Sequence, residues 1–590
     1  MEYFKKTWQS KPLLSVIIIA LLVRILAAVF AQGYGMHDDH FTAIEAPQSW
    51  VDGTDYNDWL PKSQRDGKVR LTIPTVDRLL QEGVPELELK KLEGMKKIPF
   101  DSKEELYRNM DLRWGDENTL KYKDLIEKHL DTEAVADGHS FFYVGINYCF
   151  FTAMKNLGIM DPKTKMLILR ILHALFSLLV VYFGYKLVFK YAGENPARLT
   201  GMLLALLWFM PFLSVRNLVE VVSAPLMVWG IWIMLHFKES KKSAWLALLA
   251  GSILGLTFSL RFQVAIFIGG AGLVLLFSKQ WKETLFFGTG VVLSILLVQG
   301  TVDYFIWDKP FHELMEYVRY NIAHKNEYGA NHWEMYFLVV MGILIPPIGI
   351  MLFFGWFHVW RKIPLLFWPA FLFFAFHTIF PNKQERFILS IVPLIVMAGV
   401  IGWVEWERKS RFWQKRSKLL QGSWAFFWII NTLVLIILTF TYSKRSRVEA
   451  MYYFYDKQNV KCIITEDTNN KKVVGLPGFY AGRWIMQYKF PNSEQSDSGL
   501  YCYYDRVSTY IRRIHSYDFF DCNPAETPDY ILFFDYVNLE NRVARAKEYF
   551  PHLQAEAVIY PGFIDRLMRR LNPSNENQVV YVYKIGANLP

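Results

Sequence analysis

The sequence predicts a polytopic α-helical membrane protein, and three observations lead to that fold class. Hydrophobic residues make up 52% of the 590 residues, charged residues make up only 20%, and the mean hydropathy is positive. The apolar residues form eleven blocks of about 20 residues, the length at which a helix crosses a hydrocarbon core about 30 Å thick. Basic residues recur in every second connection between the blocks. Because the charges lie between apolar blocks, nucleic-acid binding is disfavoured.

The eleven blocks are predicted to be transmembrane helices of about equal length. Basic residues are held on the cytoplasmic side of a membrane, so the N-terminus is predicted to be cytoplasmic and, after an odd number of spans, the C-terminus exoplasmic. A shorter apolar stretch, residues 141–154, is predicted to be an interfacial or re-entrant helix. The predicted spans are residues 13–31, 166–190, 197–214, 217–236, 244–260, 262–278, 284–302, 335–357, 363–380, 387–404 and 424–441.

Two hydrophilic blocks are predicted to face the exoplasmic side. The first, residues 32–140, carries 23 acidic and 15 basic residues, and amphipathic helices are expected at residues 75–91 and 102–109. The second, residues 443–590, predicts a small α/β domain that follows a transmembrane domain of residues 1–442. In it, strands are expected at residues 460–466, 530–535, 555–560 and 579–584, and helices at residues 505–516 and 538–550.

Acidic residues follow the first predicted span. If this segment is an α-helix, Asp38 and Glu45 lie seven residues apart with Phe41 on the same face, so that two carboxylates line one side of a helix at the membrane surface. Such a pair could hold a metal ion or take a proton from a hydroxyl group. The alternative is a solvated acidic helix start, which the helix dipole favours.

Cations occur where the positive-inside rule disfavours them. Lys383 and Arg386 lie in the predicted exoplasmic turn between spans nine and ten. A lipid phosphate would account for them, since arginine binds phosphate through two hydrogen bonds and lysine as a point charge; snorkelling toward headgroups is the alternative. Arg216 and Arg261 also lie in predicted exoplasmic turns, and Arg216 could instead pair with Glu220, four residues on.

The exoplasmic loop before predicted span eight is rich in aromatic and polar residues. Aromatic residues at this density suit a membrane-interface belt, and they also suit stacking on sugar rings. The residues singled out in this loop are Tyr320, Asn321, Tyr328, His332, Trp333 and Tyr336.

Taken in order, these segments resemble the glycosyltransferase family 22 mannosyltransferases, a group with the C-type (GT-C) membrane glycosyltransferase fold that includes the GPI-anchor and asparagine-linked-glycan enzymes. Residues 37–45 keep the Asp, the aromatic residue and the final Glu of the family's first-loop motif. Residues 320–336 match its Tyr-Asn-Ile, Tyr-Gly and Trp-x-x-Tyr elements, and residues 382–387 match its His-Lys-Glu-x-Arg-Phe turn. Asp39, Thr42, Asn382 and Gln384 depart from the family's Glu, Gln, His and Glu, which bears on the sugar more than on the reaction.

The resemblance implies a glycosyltransferase that moves a sugar, with mannose expected, from a polyprenyl-phosphate donor to a hydroxyl of a glycan or glycolipid acceptor. The transfer takes place on the exoplasmic side with inversion. No cofactor is expected, and a divalent cation is left open. The implied roles are Asp38 as the catalytic base, Asp39, Glu45 and His332 as groups that orient the acceptor or the base, Lys383, Arg386, Arg216 and Arg261 as binders of the donor phosphate, and Tyr320, Asn321, Tyr328, Trp333 and Tyr336 as sugar or loop contacts.

Two other functions stay open: a transporter or flippase of lipid-linked sugars, and a non-catalytic subunit of an envelope glycan assembly complex. A transporter is expected to have charged residues or broken helices near the middle of the membrane, and the sequence has few. The chain contains no Asn-x-Ser/Thr sequon with x other than Pro. This favours a bacterial inner membrane with a periplasmic site over an endoplasmic reticulum membrane with a lumenal one.

Overall fold

The structure is a computed structural model of the chain. It divides into two compact units, one formed by residues 1–39, 137–146 and 164–441, the other by residues 40–136, 147–163 and 442–590. The residues that the structure describes are 8–35, 37–55, 59–61, 69, 71, 73–92, 100, 102–130, 136, 138–237, 240–325, 332–466, 475–490, 500–504, 510–514, 528–572 and 578–586.

Apolar helices dominate the first unit. Within the described residues, six are long and apolar enough to cross a membrane: Pro12–Phe30, Pro162–Ala192, Ser243–Leu260, Trp281–Trp307, Glu385–Lys409 and Ser417–Thr439. Three shorter apolar helices are Val219–Met234, Val264–Phe277 and Pro364–Ile379. These helices identify an integral membrane protein of the predicted polytopic α-helical class.

Helical residues occupy all eleven predicted spans, but two of the spans are broken. The third is divided into Glu194–Leu206 and Met210–Leu213, because Pro211 has no N–H to donate to the carbonyl four residues before it. The eighth is divided into Met335–Ile343 and Ile348–His358, which are bent by 115°. Two consecutive prolines, Pro346 and Pro347, lie at that break. The count of eleven spans stays a prediction.

Glycines allow one membrane helix to pack closely on its neighbour. This helix, Val392–Lys409, lies against Ile348–His358. A Cβ atom added at Gly402 would lie 1.9 Å from the carbonyl oxygen of Gly355, and one at Gly355 would lie 2.2 Å from the carbonyl oxygen of Gly399. Only residues without a side chain permit this backbone contact.

The first hydrophilic block forms a helical cluster. The helix expected at residues 75–91 is divided in two, and the helix expected at residues 102–109 is confirmed. The cluster contains Ile73–Gln81, Glu86–Lys91, Lys103–Trp114 and Asp116–His129, and Ser102 caps the third helix by accepting a hydrogen bond from the Glu105 amide at 3.2 Å. A core of fully buried side chains includes Leu79, Leu92, Leu106, Met110 and Ile126. The apolar stretch predicted at residues 141–154 is helical, as Phe141–Asn156; its interfacial or re-entrant position stays a prediction.

The C-terminal residues form a seven-stranded mixed sheet. Its strands are β1 (Cys462–Glu466), β2 (Met486–Phe490), β3 (Leu500–Tyr504), β4 (Tyr510–Ile514), β5 (Tyr530–Phe534), β6 (Gln554–Ile559) and β7 (Val580–Lys584), in the order β4-β3-β2-β1-β5-β7-β6. Central strand β1 runs parallel to β2 and β5, and the other pairs are antiparallel. Strands β1 and β5 are fully buried, as expected of continuous apolar runs at the middle of a sheet.

Helices Arg445–Tyr452, Leu539–Tyr549 and Phe563–Leu571 accompany the sheet. The four predicted strands are confirmed as β1, β5, β6 and β7, and the helix predicted at residues 538–550 is confirmed as Leu539–Tyr549. The helix predicted at residues 505–516 is wrong. There, Tyr510–Ile514 is strand β4, paired antiparallel with β3, because aromatic and β-branched residues suit the pleated surface; residues 505–509 lie outside the described residues.

Candidate active site

The cationic turn, defined here as residues 380–386, joins helix Pro364–Ile379 to the 3₁₀ helix Glu385–Ile391. Lys383 is 5% exposed, and its Nζ donates a hydrogen bond to the Phe380 carbonyl oxygen at 2.8 Å. Burial lowers the pKa of Lys383. A lysine with so little contact with water interacts strongly with an anion that reaches it.

Arg386 joins the cationic turn to the acidic segment, defined here as residues 37–45. Its guanidinium forms an ion pair with the Asp39 carboxylate, 347 positions away in sequence. Its Nε donates to Gln384 Oε1 at 2.8 Å and lies 3.9 Å from Glu220 Oε1. The structure therefore brings one predicted acid and one predicted phosphate-binding residue into direct contact.

Arg261 also lies beside Glu220. It directly follows helix Ser243–Leu260, and its guanidinium lies 3.5 Å from Glu220 Oε1. It also donates to Ser390 Oγ at 2.9 Å and to the side chain of Gln263. Glu220 is 3% exposed, and its Oε2 accepts no hydrogen bond from the part of the chain that the structure describes. Two arginines thus approach the same oxygen of one buried carboxylate.

Ser390 ties these groups together, although sequence reasoning missed it. Its hydroxyl is fully buried, accepts from Arg261, and donates to the Glu220 backbone carbonyl at 2.9 Å. Ser223, one turn along the helix that begins at Val219, lies 3.1 Å from it. The signal that could have found Ser390 is a single hydroxyl within the apolar run of residues 387–392.

Of the predicted aromatic contacts, Tyr336 reaches the cationic turn. It is fully buried, and its hydroxyl donates to the Gln384 carbonyl oxygen at 3.0 Å. Trp333 is 65% exposed and packs on Phe337, and His332 is exposed. Among the described residues, no hydrogen bond or ion pair joins His332 or Trp333 to the turn.

The remaining predicted aromatic-loop residues fall into two groups. Tyr320 and Asn321 are half-buried on helix His312–Ala323, where Tyr320 packs on His324 and Asn321 donates to the Tyr317 carbonyl oxygen at 2.9 Å. Tyr328 lies outside the described residues. Their predicted sugar contacts stay predictions.

The acidic segment is helical, but not uniformly α-helical. His37–His40 forms one α-turn, and Phe41–Glu45 continues it as a π-helix. The wider π-turn changes the angular spacing, so the α-helical face expected for Asp38 and Glu45 is not formed. The Asp38 backbone lies in the α-turn, whereas its side chain is outside the described part of the chain.

Glu45 is engaged within its own unit. It is 1% exposed, accepts a hydrogen bond from the Phe479 amide at 3.1 Å, and lies 3.3 Å from His40 Nε2. The His40 ring in turn stacks on Tyr480, with 5.7 Å between ring centroids. These contacts fix the end of the acidic segment. Sequence reasoning did not identify His40 or residues 479–480 as its partners.

Arg216 holds the chain where the first membrane helix ends. Its guanidinium donates to the carbonyl oxygens of Gln32 at 3.1 Å and Gly33 at 2.6 Å, and lies 4.4 Å from the Phe212 ring. Residues 32–33 lie a few residues before the acidic α-turn. These contacts fix the backbone at residues 32–33. A phosphate-binding role for Arg216 stays a prediction.

Metal binding was left open by the sequence. Within the described residues, no group of three or more His, Cys, Asp or Glu side chains is placed to hold a metal ion. The Asp38 side chain is not among those described.

Comparison with known families gives a match that includes the cationic turn. The family model described as the Alg9-like mannosyltransferase family matches residues 138–477, more than half of the chain. This range contains Glu220, Arg261, Ser390 and Arg386 but not the acidic segment.

Two curated relatives are similar to part of the chain. They are the alpha-1,2-mannosyltransferases ALG9 of Homo sapiens and Mus musculus, each 23% identical over 304 residues. The alignment covers 47% of this chain and 47% of each relative, so the chain spans about half the length of the curated relatives it matches.

Solved structures are similar over nearly the whole chain. A crystal structure of ArnT from Cupriavidus metallidurans bound to undecaprenyl phosphate has a TM-score of 0.51 and 12% identity, and covers 98% of this chain and 99% of ArnT. The apo structure of ArnT has the same TM-score at 13% identity, with 97% of each chain covered. At this identity the likeness shows the fold, that of the GT-C membrane glycosyltransferases.

Proposed function

We propose a function that starts from the family, because this chain belongs to the Alg9-like mannosyltransferase family. The chain is a membrane enzyme that transfers a mannosyl group from a polyprenyl-phosphate donor to an acceptor hydroxyl, on the exoplasmic side and with inversion. The observation that carries the proposal is the ion pair between Asp39 and Arg386, which joins the acidic segment to the cationic turn.

The donor phosphate binds at the cationic turn. A phosphate leaving group is a weak base at neutral pH, so it needs positive charge at the bond that breaks and not a proton donor. Arg386, Arg261 and Lys383 supply that charge from positions with little exposure to water. Asp39 and Glu220 balance the two arginines, and an arriving phosphate competes with Asp39 for the Arg386 guanidinium.

Asp38 is the catalytic base. Asp39 suits this role less, because an ion pair with arginine favours the charged carboxylate and makes it a poorer proton acceptor. The acceptor oxygen attacks the anomeric carbon, its proton passes to Asp38, and the phosphate leaves with the bonding electron pair. Asp39 orients Arg386 and the neighbouring base.

Mannose and a lipid-phosphate donor are proposed from the relatives. The human and mouse relatives are named as mannosyltransferases, and the ArnT crystal holds undecaprenyl phosphate. The acceptor is a glycan or glycolipid. The membrane is a bacterial inner membrane or an endoplasmic reticulum membrane, with the site periplasmic in the first and lumenal in the second.

A transporter of lipid-linked sugars is the second candidate, because helices broken within apolar segments are typical of transporters. The break at residues 207–209 has that form. However, Arg24 donates to the carbonyl oxygens of Leu204 and Ala205, and Asn431 donates to that of Leu206. The backbone groups at this break are bonded to protein, as expected of a packed structural break.

The test is a transfer assay with the purified full chain in lipid nanodiscs. Radiolabelled polyprenyl-phosphate mannose and a glycolipid acceptor are supplied, and the product is measured for the wild type and for Asp38→Asn. A catalytic base contributes about 10²–10⁴-fold to the rate, so the variant is expected to lose transfer while it still binds the donor.

The matched control is Asp39→Asn, which is expected to reduce donor use and to retain part of the turnover. Full turnover by Asp38→Asn rejects the base assignment. A wild type that moves the donor across the bilayer without forming product indicates a transporter. A wild type that does neither indicates a non-catalytic subunit.

A further inference from the structure

The helix Phe563–Leu571 in the C-terminal region is strongly amphipathic. At about 100° per residue its side chains separate into two arcs. The apolar arc consists of Phe563, Ile564, Leu567, Met568 and Leu571, and the polar arc consists of Asp565, Arg566, Arg569 and Arg570.

The polar arc is the side that holds the helix to its own unit. Asp565 is 8% exposed and accepts hydrogen bonds from the backbone of Lys444 and Arg445. Arg569 forms an ion pair with Asp535 at 2.5 Å, just beyond the end of β5. The helix is therefore attached by charged side chains. An amphipathic helix of a water-soluble protein instead packs its apolar side against the core.

The apolar arc faces outward. Phe563 is 69% exposed and Leu571 is 73% exposed, and Leu567 and Met568 are also exposed. Tyr560, just before the helix, is exposed as well. A contiguous apolar surface of this kind marks a contact with something other than water.

The attachment point lies close in sequence to the last membrane-spanning helix. Asp565 is bonded to residues 444–445, and a Cβ added at Gly562 would lie 2.8 Å from the Tyr442 carbonyl oxygen. The last membrane-spanning helix ends at Thr439, three residues before Tyr442. Three residues of chain span at most about 11 Å, which is comparable to the depth of the headgroup region.

We propose that helix Phe563–Leu571 is an interfacial helix that docks on the surface of the bilayer spanned by this chain. Its apolar arc enters the boundary between headgroups and acyl chains, and the exposed Arg566 and Arg570 meet lipid phosphates. The acid of the helix, Asp565, is buried, so the exposed rim of the helix is cationic. This docking holds the sheet at the membrane surface.

The test places a photo-crosslinking residue, benzoyl-phenylalanine, at Leu567 of the full chain in nanodiscs of phosphatidylcholine and phosphatidylglycerol. Ala544, exposed on helix Leu539–Tyr549, is the matched control position. Mass spectrometry after illumination is expected to find lipid adducts at position 567, several-fold above position 544. Adducts with a second copy, with another protein or with this chain's own residues overturn the proposal, as does a yield equal to the control.

The cationic rim is tested with the same crosslink at position 567. The double variant Arg566→Gln, Arg570→Gln is compared with Lys547→Gln, an exposed lysine on the neighbouring helix. An arginine near an anionic surface contributes about fivefold to binding, so the double variant is expected to lose most of the preference for phosphatidylglycerol adducts. An unchanged preference contradicts the arginine contacts. Neither readout uses sugar transfer, so failure here is separate from failure of the proposed enzyme.

Discussion

Two arginines of this chain, Arg386 in the membrane-spanning unit and Arg542 beside the C-terminal sheet, both pair with a carboxylate in a little-exposed site. Arg542 pairs with Glu466 at 2.6 Å and also donates to three backbone carbonyl oxygens, those of Phe534, Asp535 and Val537. Arg386 instead contacts the side chains of Asp39 and Gln384.

This difference separates a structural ion pair from a site that can exchange ligands. A guanidinium enclosed by backbone carbonyls cannot change partners unless the fold opens. A guanidinium held by side chains can, because side chains rotate while the backbone stays in place. Arg386 and its neighbour Arg261 therefore suit a ligand that binds and leaves, whereas Arg542 closes the ends of β1 and β5.

The largest expected effect is on the stability of the C-terminal sheet. Arg542→Ala leaves the buried Glu466 carboxylate unpaired, and such a loss costs about 3–5 kcal/mol. Hydrogen exchange of β1 and β5 in the full chain is expected to rise strongly. Unchanged protection of these strands contradicts the structural role, and Arg545→Ala, on the same helix, is the control.

Next in size is the loss of transfer in Arg386→Ala. Removal of one group that stabilises transition-state charge costs about 10²–10³ in kcat. The transfer assay at saturating donor measures this loss, and hydrogen exchange of helix Val392–Lys409 checks that the fold is intact. Arg386→Lys is expected to recover part of the rate, since it keeps the charge but not the planar guanidinium. Full activity in Arg386→Ala contradicts the assignment of Arg386 to the donor-phosphate site.

A smaller effect is expected for Ser390→Ala, which leaves Arg261 without its hydroxyl acceptor. One hydrogen bond contributes about 1 kcal/mol, so donor KM is expected to rise by about fivefold with little change in kcat. Ser223→Ala removes another donor to the Glu220 carbonyl without touching Arg261 directly, and is expected to have the weaker effect. Equal effects of the two variants place Arg261 outside the donor site.

The smallest effect is expected at an exposed ion pair. It serves as a baseline for the two less exposed pairs, Arg386–Asp39 and Arg542–Glu466. Hydrogen bonds from Lys128 and His129 lower the pKa of Glu82. Because the pKa is lowered on folding, the stabilisation is present at neutral pH and is lost as the pH falls through the lowered value. At neutral pH, Glu82→Gln is expected to raise hydrogen exchange in helix Asp116–His129 slightly, and at acidic pH the difference from wild type disappears. If the difference in hydrogen exchange between Glu82→Gln and wild type grows on acidification, the predicted pH dependence is wrong.

The elements that follow from local pattern could be predicted from the sequence. Apolar length located the membrane helices, and the buried runs that became β1 and β5 were recognised. The helix expected at residues 505–516 failed because strand β4 depends on its pairing with β3. The break in the third span was not predicted, although Pro211 lies beside it. What the sequence could not show is that Arg24, far away in sequence, bonds the carbonyl groups that the break leaves open.

Candidate residues for a site could be named from the sequence, but their contacts could not. Positive charge in turns predicted to be exoplasmic marked Arg386 and Arg261 as candidates, and Glu220 was noticed only as a partner for Arg216. The structure shows Glu220 beside Arg261 and Arg386 instead. Ser390 and His40 carry no unusual charge or spacing, so only the packing of distant segments reveals their contacts.

An experimental structure with a bound polyprenyl-phosphate sugar will show whether Asp38 and the cationic turn form one catalytic centre. We expect the donor phosphate within hydrogen-bond distance of Arg386 and Lys383, and the Asp38 carboxylate facing the anomeric carbon from the side opposite the phosphate. A phosphate bound away from the turn, or an Asp38 carboxylate out of reach of any acceptor, contradicts this expectation.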